Sequence, residues 1–332
     1  MLPWFPSPRR DALGLLAATL AAPSIASTQG AAFPSRPVRL LVPFPPGGAI
    51  DLLSRLLSEA LTPRLGQPVV VENRAGAGGN VAAEALARSE PDGHTLLVAT
   101  IGVMAVNRHV YPHLPFNPDQ DLVPIAHLWD TPLVLVVSAS SPHRSVAELV
   151  AAGRVGSGAR LTCGTSGNGT SDHMAMALFA ERAGLDLVHV PYRAGAPAVA
   201  ADLTSGRIDM TIGNVAVYLS GVRGGQMRAL AVTGMGRWPA LPEVPTMTEA
   251  GVPNLVVSSW AGLVGPRGLP EPVRDRLAAE VAMVSADPAY RHRLTQIGGI
   301  PAGTGPAELT ALTERETIRW GDIVRRLGIR AE

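Results

Sequence analysis

The chain lacks lysine and contains a single cysteine, and both shortages narrow what the protein can be. All 28 basic residues are arginines, set against 27 acidic residues, so the formal net charge is +1. Because both signs are scattered along the chain, no basic face predicts binding to nucleic acid. Cys163 cannot form an internal disulfide, and no Cys/His spacing is typical of a zinc site. We therefore expect neither a metal ion nor a nucleic-acid partner.

Long hydrophobic runs are also scarce, and the most apolar one lies near the N-terminus. Arg9 and Arg10 precede the run 12–22, and small residues at Ser24 and Ala26 follow it. This order is typical of a signal peptide, and the run is too short for a stop-transfer helix. We expect a signal peptide over residues 1–26, cleaved near Ala26, and a periplasmic mature protein. The arginine pair leaves the Sec and twin-arginine routes both open.

A loop of prolines and glycines separates a predicted strand from a predicted helix early in the remaining chain. Val38–Val42 is an apolar run of strand length, Pro45-Pro46-Gly47-Gly48 excludes both strand and helix, and a helical period of apolar residues begins at Ala49. The unpaired N–H groups of a helix N-terminus attract anions. The sequence therefore predicts an anion site at this loop. Asp51, in the first turn, is expected to cap the helix.

The next glycine turn, 73–79, invites comparison with dinucleotide-binding loops. The third glycine position of that pattern is occupied by Val81, and the following strand, Thr95–Thr100, ends without the acidic residue that would bind a ribose. The turn is better explained as close packing of a helix on a sheet. No cofactor is expected.

The second half of the chain repeats the alternation of strands, glycine-rich loops and helices. The loop 164–171, rich in hydroxyls and glycines, lies between the strand Leu161–Cys163 and the helix Asp172–Ala183, and Leu187–Val190 leads into the loop 191–197. Further strands are predicted at Pro68–Glu72, Leu133–Val137, Ile208–Ile212, Arg228–Thr233 and Val256–Val264, and further helices at Asn80–Arg88, Ser145–Ala152, Glu271–Ser285 and Pro306–Leu327, the last with Ile318 in its apolar set. This alternation over 332 residues predicts an α/β protein of two domains with mostly parallel sheets. Its ligand would lie at the carboxyl ends of the strands.

Catalytic groups do not converge in these loops. Ser166 lacks the glycine spacing of a nucleophile elbow, and no acidic residue is placed to orient His173. Cys163 is interpreted as a buried strand residue rather than a nucleophile. Arg193 is the one formal charge in the loop 191–197 that is able to pair with an acid. For a lone loop arginine, contact with a ligand and exposure to solvent are both open.

Several longer stretches resemble one known family. They are PFPPGGAID at 43–51, ENRAGAGG at 72–79, PDGHTLL at 91–97, LPFNPDQDLVPI at 114–125, GTSGNGTSDH at 164–173, HVPYRAGAPAVAADLTSGRIDM at 189–210, RALAVTG at 228–234 and LPEVPTMTEAG at 241–251. In this order, over nearly the whole chain, they resemble the periplasmic substrate-binding receptors of tripartite tricarboxylate transporters, the Bug-type solute receptors.

The resemblance implies a fold, a domain division and a function. The fold is a two-domain periplasmic binding protein of the second type, each domain a mostly parallel sheet flanked by helices, with the ligand cleft between them. Residues 33–130 plus 255–332 would form domain 1, and residues 131–254 domain 2. The function is capture of a small carboxylate by domain closure and its delivery to the membrane subunits of a transporter. A monomer without catalytic activity is expected; the alternative is a secreted enzyme that acts on a small carboxylic acid through Cys163 or Ser166.

The resemblance also implies which residues contact the ligand. In the first domain they are Phe44, Gly47, Gly48, Asp51 (by ordering the turn), Thr100 and the loop 102–107 with Asn107; in the second they are Thr165, Ser166, Asn168, Thr170, Arg193, Gly195 and Asn214. This chain has Val103, Met104 and Gly213 where the family usually has polar or charged residues. If those positions face the cleft, the pattern favours a monocarboxylate, or a dicarboxylate with an apolar stem, over citrate.

Overall fold

The computed structural model describes residues 1–4, 33–156, 158 and 160–331. The predicted signal peptide and its cleavage site lie outside the described residues, apart from residues 1–4, which form neither helix nor strand. Within the described part of the chain, no helix is both long enough and apolar enough to cross a membrane. Everything below concerns the unit from Phe33 onward.

Strands and helices alternate along this unit. The strands are β1 (Val38–Val42), β2 (Val69–Asn73), β3 (Thr95–Thr100), β4 (Leu122–Ser138), β5 (Leu161–Thr165), β6 (Leu187–Pro191), β7 (Met210–Asn214), β8 (Met227–Val232), β9 (Ser258–Pro266) and β10 (Ile300–Thr304). The helices are α1 (Ala49–Leu65), α2 (Asn80–Ala87), α3 (Asn107–Val110), α4 (Pro118–Asp121), α5 (Val146–Gly153), α6 (Ser171–Ala183), α7 (Ala196–Thr204), α8 (Val215–Arg223), α9 (Glu271–Ala286), α10 (Pro288–Gln296) and α11 (Pro306–Leu327). A 3₁₀ turn spans Ala77–Gly79 and a π-helical turn spans Gly102–Val106.

The ten strands form one mixed sheet in two halves that share β4. The first lobe is defined by β1, β2, β3, β9 and β10. In it β1 is parallel to β2 and β3, whereas β9 runs antiparallel both to β3 and to the first part of β4. In the second lobe, defined by β5, β6, β7 and β8, β5 is parallel to β6 and β7, and the end of β4 is antiparallel to β7 and β8. The α/β architecture is confirmed. The expected parallel pairing holds among β1, β2 and β3 and among β5, β6 and β7, whereas every pairing with β4 or β9 is antiparallel.

Apolar side chains cover both faces of each half-sheet. Leu53, Leu57 and Leu61 of α1 pack on the first lobe with residues of α9, and Val215 and Tyr218 of α8 pack on the second. A third cluster occupies the opposite face of both lobes. One expectation about α11 is wrong: Ile318 is exposed, because the buried stripe of this helix runs through Leu309, Glu316, Trp320 and Val324 instead.

Candidate functional site

A small inner cavity, with about 40 Å³ of space open to the centre of a water-sized sphere, lies where loops of the two lobes meet. Its floor includes the start of α1 from the first lobe and the start of α6 from the second. The predicted site residues that line it are Phe44, Gly48, Thr100, Ser166, Thr170 and Asn214. The segments that follow strands β1, β3, β5 and β7 therefore meet at this cavity. The carboxyl ends of the strands are where α/β sheets bind their ligands.

Hydrogen bonds to a buried aspartate fix the conformation of the loop 43–48. The backbone N–H of Gly47 donates to Oδ2 of Asp51 over 3.0 Å, and Asn73 donates from Nδ2 to Oδ1 over 2.8 Å. Arg55 pairs with the same carboxylate at 2.9 Å. Burial alone raises the pKa of Asp51, but the hydrogen bonds from Arg55, Gly47 and Asn73 outweigh it and the net pKa is lowered. Gly47 has φ +81°, so the turn needs a glycine at this position.

The loop 164–170 has an analogous support from α6. The backbone N–H and the Oγ of Ser166 both donate to Oδ2 of Asp172, over 2.9 and 2.5 Å. Thr170 is the N-cap of α6, with its Oγ1 accepting from the N–H of His173 and donating to the carbonyl of Gly167. Each lobe thus uses an aspartate in the first turn of a helix to fix the loop above the cavity.

The inner cavity offers neutral donors rather than basic side chains. Among the described residues that line it, none is Arg or His, and Asp172 is the one with a formal charge. Positive potential comes from the N-termini of α1 and α6, which begin at Ala49 and Ser171. The side-chain Oδ1 of Asn214 is buried without a partner among the described residues, so the amide of Asn214 is free to reorient toward a bound molecule.

Two stacked histidines lie behind the loop 164–170. The rings of His173 and His189 are 4.1 Å apart at an interplanar angle of 12°. Burial lowers the pKa of His189 to about 4. Burial, with a contribution from His189, lowers the pKa of His173 to about 3. Nδ1 of the neutral His173 ring accepts from the N–H of Gly169, and Nε2 of His189 lies 2.7 Å from Oγ1 of Thr165.

The two lobes touch beside the cavity through glycines. A Cβ added to Gly78 would lie 2.4 Å from the carbonyl oxygen of Asn168, and one added to Gly102 would lie 2.9 Å from that of Gly169. The hydroxyl of Tyr111 donates to the same Asn168 carbonyl over 3.2 Å. These distances place the two lobes in direct backbone contact, which describes a closed cleft.

An outer groove adjoins the inner cavity and is larger, at about 930 Å³ on the same measure. The two spaces share Phe44, Pro45 and Ser166 as walls. Asn168 and Arg193, both predicted site residues, line the outer groove and not the inner cavity.

Five predicted site residues line neither space. Gly47 and Asp51 shape the first loop, and Gly195 packs its backbone against Pro45, where a Cβ would lie 3.1 Å from Pro45 Cδ. Thr165 and Asn107 are fully buried; Asn107 donates from Nδ2 to the carbonyl of Gly78 and to Oδ1 of Asn80. Ligand contact by the predicted set stays a prediction.

The expectation that Val103 and Met104 face the cleft is wrong. Both side chains are buried in the core cluster beneath the loop, and Val103 Cγ2 would lie 2.8 Å from a Cβ at Gly79. Gly213 also points into the core, since a Cβ there would lie 2.6 Å from the ring of Tyr218. Because all three positions lie in the core, none of them favours a ligand with an apolar stem over citrate.

The residues considered for catalysis are placed as structural residues. Cys163 is fully buried in β5, and burial raises the pKa of its thiol. Ser166 donates to Asp172, and no histidine within the described chain is hydrogen-bonded to it. No group of three His, Cys, Asp or Glu residues among those described is placed to hold a metal ion.

Sequence reasoning missed several residues around the two spaces. The inner cavity also includes Pro45, Ile101, Ser171, Asp172, Pro197 and Ser259, and the outer groove includes Tyr111, His189, Tyr192 and Arg330. Asp172 could have been found, because it repeats the first-turn position of Asp51. Ser259 and Arg330 lie far along the chain in elements without any loop motif, so only the folded structure reveals them.

Comparison with known proteins is consistent with this arrangement. The model of the tripartite tricarboxylate transporter family receptor matches residues 53–329. A protein encoded in the tcbD-tcbE intergenic region of Pseudomonas sp. strain P51 is 42% identical over 317 residues, which cover 95% of this chain and 94% of that protein.

Solved structures show the same similarity in three dimensions. An R. palustris protein solved with adipate has a TM-score of 0.87 and 35% identity, covering 90% of this chain and 100% of that one. MatC from Rhodopseudomonas palustris, with bound malate, has a TM-score of 0.82 and 33% identity, covering 88% and 100%. The periplasmic binding protein BugD has a TM-score of 0.84 and 30% identity, covering 90% and 100%.

Proposed function

The chain belongs to the tripartite tricarboxylate transporter receptor family, and from this membership we propose that it captures a small carboxylate and delivers it to the membrane subunits of such a transporter. Members of this family are solute-binding receptors, and two structural neighbours hold adipate and malate. Delivery to a transporter is the further step that we infer for this chain.

One observation carries the carboxylate proposal. The inner cavity lies at the N-termini of α1 and α6, and its polar lining includes Thr100, Thr170 and Asn214 beside the backbone of Gly48. Backbone N–H groups and hydroxyls at helix N-termini hold anions without a cationic side chain. A carboxylate oxygen accepts several hydrogen bonds at once and suits such a set of donors.

We propose that binding closes the two lobes over the ligand. The predicted bounds, 33–130 plus 255–332 and 131–254, assign the two lobes to two domains, and β4 and β9 would be the crossing segments. The thirteen predicted residues from Phe44 to Asn214 would act at two levels. Those lining the inner cavity or the outer groove would contact the ligand, and Gly47, Asp51, Asn107, Thr165 and Gly195 would hold the loops in place.

The receptor is proposed to be a monomer without catalytic activity. Nothing in the placement of Cys163 or Ser166 supports the alternative of an enzyme. Cys163 is fully buried, and Ser166 donates to Asp172 with no histidine hydrogen-bonded to it within the described residues. Incubating the purified protein with the acids that it binds, followed by proton NMR, should return them unchanged. Conversion of any of them would contradict the proposal.

The protein is proposed to act in the periplasm after removal of residues 1–26. The order of arginine pair, apolar run and small residues supports this localisation. N-terminal sequencing of protein recovered from the periplasmic fraction should begin near Ser27. Recovery of an intact chain that begins at Met1 in the cytoplasm would contradict it.

A thermal-shift screen tests the function directly. Mono-, di- and tricarboxylates, amino acids and aromatic acids are each added to the mature protein. A ligand present at 100 times its dissociation constant should stabilise the fold by about 2.7 kcal/mol, which is a readily measured shift. Stabilisation by neutral solutes alone, with no carboxylate active, would reject the proposal.

A further inference from the structure

The outer groove is open, polar and positively charged, in contrast to the inner cavity. Arg193 and Arg330 line it, and among the described residues that line it none is Asp or Glu. Neither arginine has a hydrogen bond or an ion pair with any described residue. The groove thus has two guanidinium groups available for an anion, whereas the inner cavity has only neutral donors.

These two arginines come from different lobes and from distant parts of the chain. Arg193 follows β6 in the second lobe, on a short loop fixed by a hydrogen bond from the N–H of Gly195 to the carbonyl of Tyr192. Arg330 follows α11, and its chain is fixed beside Tyr111 by a hydrogen bond of 2.9 Å from the N–H of Ala331 to the carbonyl of Val110. An anion held by both would therefore contact both lobes.

The wall between the two spaces is suited to a hydrocarbon stem. Phe44 and Pro45 line both the inner cavity and the outer groove, and their side chains are partly buried. Tyr192 and Tyr111 add aromatic surface to the groove. A molecule that extends from one space into the other passes over apolar surface and ends among cations.

We propose that the outer groove is a second anion subsite and that the ligand is an elongated dicarboxylate. One carboxylate occupies the inner cavity, and the other is held by Arg193 and Arg330. This inference rests on the proposed function, since it assigns the first carboxylate to the inner cavity. Guanidinium groups bind carboxylates through paired, charge-assisted hydrogen bonds, so the second contact adds affinity as well as selectivity.

Calorimetry with two matched series of acids tests the subsite. The first series is the straight-chain dicarboxylates from succinate to azelate, and the second is the monocarboxylates of the same chain lengths. Dicarboxylate affinity should rise with chain length to an optimum, and there it should exceed the matched monocarboxylate by about tenfold or more. Raising the salt concentration should narrow that gap, because the groove is open to solvent.

Substitutions of the two arginines test whether they cause the preference for dicarboxylates. Arg193→Gln and Arg330→Gln should each lower affinity for the optimal dicarboxylate by about tenfold and leave the matched monocarboxylate within about twofold. Arg315→Gln is the control, because Arg315 is exposed, has no described partner and lines neither space. It should change neither affinity.

The outcomes separate this inference from the function on which it rests. Equal affinities of the two acid series, or equal losses for both in the arginine variants, would overturn the second subsite while leaving the carboxylate receptor intact. Failure of every acid in both series to bind the wild-type protein would overturn the receptor proposal, and with it the subsite.

Discussion

Asp51 and Asp172 perform the same task on opposite sides of the inner cavity. Each lies in the first turn of a helix, is about 2% exposed, and accepts the N–H of a loop residue, Gly47 or Ser166. They differ in charge balance, because Asp51 is paired with Arg55 and Asp172 has only hydroxyl and backbone donors among the described residues. A buried carboxylate without a cation beside an anion site weakens that site, so its value must lie in positioning the loop.

Two substitutions at Asp172 separate positioning from charge. Asp172→Asn keeps an oxygen that can accept from Ser166 and removes the negative charge, so carboxylate affinity should stay within about threefold of wild type or rise. Asp172→Ala removes the acceptor, and affinity should fall by about tenfold, close to the loss of one hydrogen bond. Titration calorimetry on both variants measures this. Equal losses of carboxylate affinity in Asp172→Asn and Asp172→Ala would show that the negative charge itself matters.

The stacked histidines keep the second loop neutral at ordinary pH. The folded-state pKa values of about 3 for His173 and about 4 for His189 lie below the ordinary value of about 6.5. Below pH 6.5 these two histidines bind protons in the unfolded chain but remain neutral in the folded protein. The stability from these groups is therefore complete above pH 6.5 and is lost progressively as the pH falls toward 4.

This linkage predicts a pH-dependent stability. Between pH 7 and pH 5 the free energy of unfolding should fall by on the order of 2 kcal/mol because of the pair, after allowing for the partial exposure of His189. In the double variant His173→Gln, His189→Gln the fall should be smaller by that amount. His113→Gln, at an exposed histidine, is the control and should keep the wild-type slope. Urea unfolding at several pH values measures the slope for all three proteins, and a double variant with the wild-type slope would contradict the predicted linkage.

At the scale of elements, the ends of several helices and strands could be predicted from local sequence. Helix α1 begins at Ala49 as expected, because prolines and glycines end the preceding strand, and β3 and α11 have the predicted bounds. Strand β4 was recognised only at Leu133–Val137, because Pro124, His127 and Pro132 interrupt its apolar pattern. Pairing with β9 over a long sequence separation extends it to seventeen residues, and no local signal encodes that pairing.

The residues of the candidate site also divide into those that local sequence could predict and those that it could not. Residues in glycine-rich loops could be predicted, because a loop between strand and helix leads to the ligand edge of the sheet. The direction of Val103 and Met104 could not, because the π-helical turn Gly102–Val106 rotates both side chains into the core. Arg330 was missed because its position depends on where the chain end docks beside Tyr111.

The glycine contacts between the lobes make closure testable at the element scale. Gly102 has a backbone conformation open to any residue, but its Cβ would lie 2.9 Å from the carbonyl oxygen of Gly169 in the other lobe. Gly102→Ala should therefore disfavour the closed cleft and lower ligand affinity by about tenfold, with little change in melting temperature. Gly236→Ala, where a Cβ meets nothing within 4 Å, is the control.

Small-angle scattering with and without ligand measures the closure itself. The wild-type protein and the Gly236→Ala control should become more compact when a carboxylate is added, and Gly102→Ala should need more ligand for the same change. Unaltered affinity and compaction in Gly102→Ala would show that the contact between Gly102 and Gly169 has no part in closure.

At the scale of the whole molecule, two lobes with separate loops build one site. Neither lobe alone has both helix N-termini, and the outer groove draws its two arginines from both. Affinity therefore depends on how the lobes come together. Selectivity depends on which groups a ligand presents to the inner cavity and to the groove.

The inner cavity is proposed to bind a carboxylate through the loop at Gly48. Titration calorimetry with the best carboxylate from the screen, and with its primary amide, measures this binding. Gly48 has ordinary backbone angles and only the Pro45 carbonyl, at 3.6 Å, near a potential Cβ. Gly48→Val should therefore fold, and its side chain should block the cavity.

We expect the acid to bind the wild-type protein and the Gly236→Val control, and the amide to bind neither. We expect Gly48→Val to bind neither compound while melting at the temperature of the wild type. Equal affinity for acid and amide, or unchanged affinity for the acid in Gly48→Val, would contradict the proposal.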